Sequence, residues 1–178
     1  MFSLTSLLLV LCSVLSPALC CDWLRHFGHL SGESQNVLEL MGGPLTEEQG
    51  PVPFPYKLYT RMCKAEVETK LVFIRDSLKQ IANLYRHENL TSVTWDTDKM
   101  DQFRAIIDRQ TEELNSCVST TRRADRKLRN YFRRLKRCTL DSTGGSAACW
   151  ELIRKETKEH LALLDVLVNS IKAHQRWC

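Results

Sequence analysis

A chain of 178 residues is long enough for one domain with a real core. Its formal charge of +4 is mild, but the positive residues concentrate between Arg122 and Arg137. No cysteine pair has C-x-x-C spacing, and no HExxH, G-x-S-x-G or phosphate-cradling glycine loop occurs, so the common zinc, hydrolase and nucleotide chemistries have no residues to rest on.

The opening stretch, MFSLTSLLLVLCSVLSPALC, contains no charged side chain. Residues 4–19 are too short to span a bilayer and fit the apolar region of a signal peptide, although the basic region before it is missing apart from the amino terminus. Ala18 and Cys20 are small residues at the two positions a signal peptidase reads. The expected plan is a signal peptide over residues 1–20 and a mature domain over 21–178. No second segment is suited to span a bilayer, and the tail AHQRWC is polar, so the product is expected to be secreted, soluble and not membrane-inserted. Eight cysteines are present. Cys12 and Cys20 leave with the signal, and Cys21, Cys63, Cys117, Cys138, Cys149 and Cys178 enter an oxidising compartment where disulfides form.

Residues 21–30, CDWLRHFGHL, read as an aromatic-rich lead-in, and a first helix is expected over 31–41. Gly42-Gly43-Pro44 ends it, since glycine takes a left-handed cap and proline cannot continue a helix. Residues 45–55 form a long loop with three prolines, and long loops in compact domains are often functional. Pro55 suits the first turn of a second helix, whose stripe is Val67, Leu71, Ile74, Leu78, Ile81 and Tyr85. A turn follows over 86–94, carrying Asn89-Leu90-Thr91, an N-glycosylation acceptor.

Asp96 or Thr97 can cap the third helix, with Met100, Phe103, Ile107, Gln110, Leu114 and Cys117 as its stripe. The fourth is expected over 122–138, burying Ala124, Leu128, Tyr131/Phe132 and Leu135 and turning arginines and lysines outward. Residues 139–146 are a short connection, so the fourth and fifth helices should be antiparallel neighbours. The fifth runs over 149–171, can be capped by Ser146, and repeats Trp150, Ile153, Thr157, His160/Leu161, Leu164, Leu167/Val168 and Ile171. It is apolar on nearly all sides between Leu161 and Val168, which places it at the centre of a bundle. Arg154, Lys155, Lys158 and Glu159 are expected on its outer side. The fold class is therefore all-α, an up-up-down-down cytokine-like bundle of five helices with a long first overhand loop.

No active site, cofactor site or metal site is expected. His26 and His29 lack a carboxylate partner, and His87, His160 and His174 are scattered. The basic helix, with only Asp125 to oppose it, raises a second reading: a secreted host-defence protein that binds polyanions or membranes. Nucleic acid is disfavoured because the chain is secreted and shows no aromatic–basic stacking surface. A saposin-like lipid carrier would be much shorter, with more closely paired cysteines.

The chain resembles the fish type I interferons, in the group whose shared framework has a single disulfide (the d-like subgroup). The resemblance covers essentially the whole chain. It rests on CDWLRHFGHLS, MGG, FPYKLY, KAE at residues 64–66, SVTWD, LNSCV, NYFRRL and CWELIRKE in this order and spacing. It implies a secreted antiviral cytokine, monomeric and not an enzyme, that joins two class II cytokine receptor chains and starts JAK–STAT signalling. It puts Arg154, Lys155, Lys158, Glu159 and Ala162 on one receptor surface with the long loop, and Arg104, Asp108 and Arg129 on the other.

The resemblance also pairs Cys21 with Cys117. Cys63, Cys138, Cys149 and Cys178 fall outside that framework. Cys149 directly precedes Trp150, one residue later than in the four-cysteine relatives, so their second bridge does not carry over. The short connection places Cys138 and Cys149 at one end of the bundle, as a possible pair, and leaves Cys63 near Cys178 at the other. Alternatively, Cys178 stays free or links two chains.

Overall fold

The computed structural model describes residues 22–86, 90, 92–118 and 125–175. The expected signal peptide, Cys21, His87, Asn89, Arg122, Arg123, Ala124 and Cys178 lie outside them. Among the described residues there are six α-helices and no strand: α1 Trp23–Leu40, α2 Tyr56–Cys63, α3 Val67–Tyr85, α4 Thr97–Cys117, α5 Arg126–Lys136 and α6 Ala147–Gln175, with a π-helical segment Arg137–Asp141 between the last two. The helical bundle is thus as expected in class, with six helices in place of five.

In the first half of the chain two boundaries differ from the sequence reading. The stretch taken for a lead-in is the first half of α1. Trp23, Phe27, Leu30, Ser34, Val37/Leu38 and Met41 form one buried stripe through it, and Gly28 and Gly32 sit on its exposed side where no packing is lost. The expected second helix is two. Glu66 is extended (φ −63°, ψ 154°) and breaks the chain between α2 and α3. No proline or glycine marks that break.

Elsewhere the local signals hold. The Asp96 side chain accepts from Lys99 N (3.0 Å) and caps α4. The helix expected over 122–138 is a further correction, since Asp125 accepts from Lys127 N (2.8 Å) and Leu128 N (3.1 Å) and starts α5 at Arg126, and the π segment takes over at Arg137. Cys149 N donates to Ser146 Oγ at the head of α6 (3.4 Å). Gly144 and Gly145 take φ of +66° and +73°, the left-handed turn that leads from the π segment into α6.

The helix directions follow from the pairs that touch. Ser31 meets Asp165 and Leu38 meets Arg154, so α1 and α6 are antiparallel. Lys70 meets Ser170 and Tyr85 meets Thr157, so α3 and α6 are antiparallel too. Gln102 reaches Glu33 and Asp96 N reaches Met41 O, which sets α4 against α1. Lys79–Asn115 and Arg104–Tyr85 do the same for α4 and α3. The four long helices therefore run up, up, down, down, and the chain must cross between the first two through residues 41–55. Helix α6 packs against α1, α2 and α3, with Trp150, Ile153, Leu164, Leu167, Val168 and Ile171 at most 1% exposed. The stretch from Leu161 to Val168 is not enclosed on all sides as expected, since Ala162 and Val166 face solvent, whereas α3 is buried without a break from Lys70 to Leu78.

The cysteines need a correction. Cys63, Cys138 and Cys149 are free thiols. The expected Cys138–Cys149 bridge is absent although both residues lie at the same end of the bundle. Cys138 packs against the core, while the Cys149 sulfur lies 3.2 Å from Thr143 Oγ1. Cys63 is exposed and forms no bridge to Cys178. Cys117 is disulfide-bonded, and its partner lies outside the described residues.

Candidate functional site

The residues expected on the first surface belong to α6 and to the loop that crosses it. Position 154 stands four residues after Trp150 and three before Thr157, so the helix aims it inward whatever the side chain. Arg154 is indeed fully buried, which overturns its expected place on the outer side. Its Nε and Nη2 donate to Glu151 Oε2 (2.9 and 2.7 Å). Its Nη1 donates to the carbonyls of Leu38 (3.2 Å) and Glu39 (3.3 Å), and Nη2 to those of Gly43 and Pro44. The guanidinium thus satisfies the open carbonyls at the end of α1 and sets the exit of the loop. Trp95 closes the group. Its ring lies 5.9 Å from the guanidinium carbon, and its Nε1 donates to Glu151 Oε1 (2.6 Å). A Cβ at Gly42 would stand 2.8 Å from the Trp95 ring, so only glycine passes there.

The rest of the loop is fastened in turn. Lys155 Nζ donates to Glu48 O (2.7 Å), and Val52 is buried. Phe54 enters a nest of rings, 4.6 Å from His160, 4.7 Å from Tyr56, 5.8 Å from Tyr59 and 6.2 Å from Tyr131 by centroid distance. His160 is the middle of that nest. Phe132 stacks on it at 4.7 Å, and its Nδ1 shares a hydrogen bond with Tyr59 OH (2.5 Å). Burial holds the ring neutral, with its pKa lowered to about 3. Burial likewise raises the Glu156 carboxyl, against the hydrogen bond from Tyr131 OH (2.6 Å) and the charge of Lys155. A histidine sealed among rings exchanges protons with no ligand, so its role is packing.

What faces outward is a continuous stripe along α6: Lys155, Lys158 and Glu159 at the half-buried level, then Ala162 and Val166, which are exposed. The neighbouring elements reach it. Lys158 Nζ pairs with Glu39 (2.5 Å), and Tyr56 OH donates to Glu159 Oε1 (3.2 Å). Leu40 (58% exposed), Tyr56 (56%) and Val166 (51%) are the large exposed apolar side chains among the described residues, and each sits on or beside this stripe. Glu39, Leu40 and Tyr56 were missed by sequence reasoning. An exposed apolar side chain beside a helix end has no period to betray it.

The residues expected on the second surface do not form one cluster. Arg104 donates twice to Tyr85 O at the end of α3 (2.8 and 2.5 Å) and pairs with Asp101 (3.1 Å). Asp108 pairs with Arg86 (2.7 Å). Arg129 is exposed near the start of α5, where Asp125 pairs with Arg61 just before α3 begins. The three are spread toward opposite ends of α3, a helix of 19 residues, which spans roughly 28 Å. Only a footprint as long as that helix can take in all three.

The chain is similar to known proteins in sequence and in fold. The interferon alpha/beta domain model matches residues 25–171. Interferon a3 of trout (Oncorhynchus mykiss) is 45% identical over 168 residues, which is 94% of this chain and 95% of the trout protein. The solved structure of zebrafish interferon 1 superposes with a TM-score of 0.76 at 32% identity, covering 84% of this chain and 99% of that one.

Proposed function

Because the chain belongs to the interferon alpha/beta family, whose members are antiviral cytokines and not enzymes, we propose that it is a secreted monomer that bridges two class II cytokine receptor chains and so triggers JAK–STAT signalling and antiviral gene expression. Residues 1–20 act as its signal peptide, and Asn89 is its glycan acceptor. One receptor chain docks on Lys155, Lys158, Glu159 and Ala162 together with Glu39, Leu40 and Tyr56. Arg154 supports that surface from beneath instead of touching the partner. The other chain docks along α3, α4 and α5, where Arg104, Asp108 and Arg129 lie.

The observation that carries this reading is the fastening of the loop to α6. Arg154, Lys155 and the nest around His160 fix a loop that would otherwise be free, so its ordering entropy is lost on folding and not on docking. The finer placement in the single-disulfide subgroup is supported by Cys117 being bonded while Cys63, Cys138 and Cys149 are free; the resemblance to that subgroup makes Cys21 its partner.

The test uses purified mature protein on receptor-bearing cells with an antiviral-promoter reporter, and each receptor ectodomain on a sensor surface. Replacing Lys158 and Glu159 by alanine should change stability by no more than about 0.5 kcal/mol, as for ordinary surface positions. It should weaken binding to one ectodomain only, and Arg129→Ala should weaken the other. Equal loss at both ectodomains from the α6 double variant would reject the surface assignment.

A further inference from the structure

Helix α5 carries a surface that the receptor reading uses at only one position. From Arg126 to Arg137 the positions outside its buried stripe are seven Arg or Lys and one Asn130, with no acidic side chain. Leu128, Tyr131, Phe132 and Leu135 take the inward positions, which leaves a cationic half-cylinder about 16 Å long at 1.5 Å per residue. All of its cations except the half-buried Lys136 are exposed. At the start of the helix the face runs into a cleft of about 240 Å³ lined by Pro55, Lys57, Leu58, Arg61 and Lys127. That cleft has a basic rim and an apolar floor, and the Arg61–Asp125 ion pair ties its two walls together.

We propose that this face and cleft bind an extracellular sulfated polysaccharide of the glycosaminoglycan class. Spaced arginines hold sulfate and carboxylate groups by forked hydrogen bonds, and the cleft takes one sugar ring, its C–H face on Pro55 and Leu58 and its anionic substituents on Lys57, Arg61 and Lys127. Two other polyanions fit less well. The only rings of α5, Tyr131 and Phe132, are 7% and 2% exposed, so nucleic-acid bases have nothing to stack on. Among the described residues no large exposed apolar side chain lies on α5, so an anionic bilayer finds no anchor beyond charge. Binding of this kind concentrates the protein at cell surfaces and is independent of which receptor chains it joins.

The experiment measures binding of the purified mature chain to a heparin oligosaccharide over a series of salt concentrations. Three proteins are compared: the unaltered chain, the triple variant Arg126→Ser/Arg133→Ser/Arg134→Ser, and a control with the same charge loss, Arg25→Ser/Lys99→Ser/Arg109→Ser. Loss of three ionic contacts should make the slope of log K against log salt shallower by about 2, and the control should keep the slope of the unaltered chain. The double variant Lys57→Ser/Lys127→Ser should also weaken binding, which separates the cleft from mere helix charge. Binding of each variant to the two receptor ectodomains is measured alongside without heparin, so failure of the receptor reading is seen separately. Equal weakening of triple variant and control would overturn the proposal. So would equal or tighter binding of phosphatidylserine vesicles or single-stranded DNA.

Discussion

Arg154 is a charged residue whose value lies in what it leaves satisfied. It neutralises Glu151 and fills the carbonyls at the end of α1 without reaching solvent. Arg154→Ala should therefore cost about 3–5 kcal/mol, the range for breaking a buried pair, in a urea unfolding titration. Limited proteolysis should move to residues 42–55, and Arg154→Lys should restore little because the planar fork is lost. His160 gives a pH dependence. Its folded pKa of about 3 lies below the ordinary 6.5, so its contribution is whole above pH 6.5 and is lost as pH falls toward 3. The unfolding free energy should drop by up to about 1.4 kcal/mol per pH unit from this group. His160→Phe should remove that one-proton slope between pH 6 and 4, whatever it does to stability at neutral pH. The raised Glu156 carboxyl acts in the opposite sense, and the difference between the two proteins isolates the histidine. Of the two, only His160 stood in the α6 stripe read from the sequence, and Arg154 was placed on the outer side. Arginine at an inward position was read by its chemistry and not by its place in the period, which is why its side was misjudged.

Among the elements, α5 is the one most dependent on a single cap. Asp125 accepts two backbone bonds and pairs with Arg61. Asp125→Ala should cost about 1–2 kcal/mol, measured by chemical denaturation, and should loosen the cleft shared with α2. Asp125→Asn keeps the cap and loses the charge, and should cost less. If both variants cost the same, the ion pair and not the cap holds the helix start. Caps of this kind are legible because they are local: Ser146 was read from its neighbours alone, and Asp96 was one of the two candidates, with Thr97, for α4. The division between α2 and α3 was not, because Lys64, Ala65 and Glu66 all favour helix. Only the need to lay Leu58, Tyr59 and Met62 on the core separately from the α3 stripe turns the chain there.

For the molecule as a whole, the covalent frame is sparse: among the described cysteines only Cys117 is bonded. Cys117→Ser should lower stability by about 2–5 kcal/mol, and a tryptic map of the unreduced protein should recover Cys117 joined to Cys21. Exposed Cys63 should react with a thiol reagent in the native protein. Half-buried Cys138 and Cys149 should follow more slowly, chiefly on unfolding. A map with Cys138 joined to Cys149 would reverse the free-thiol finding. The absence of that bridge follows from side-chain direction, since Cys138 packs on the core while Cys149 meets Thr143.

The sequence by itself determined the helical class, the long first crossing, the buried stripe of α6 and the caps of α4 and α6. These rest on a 3.6-residue period and on hydrogen bonds within one turn, and both are written in neighbouring residues. Tertiary structure alone decided that Arg154 turns inward to hold the loop, that His160 is sealed among Phe54, Tyr59, Tyr131 and Phe132, and that nearby cysteines stay apart. Each of those depends on atoms brought together from distant parts of the chain, where burial and side-chain direction, not sequence spacing, set which contact forms.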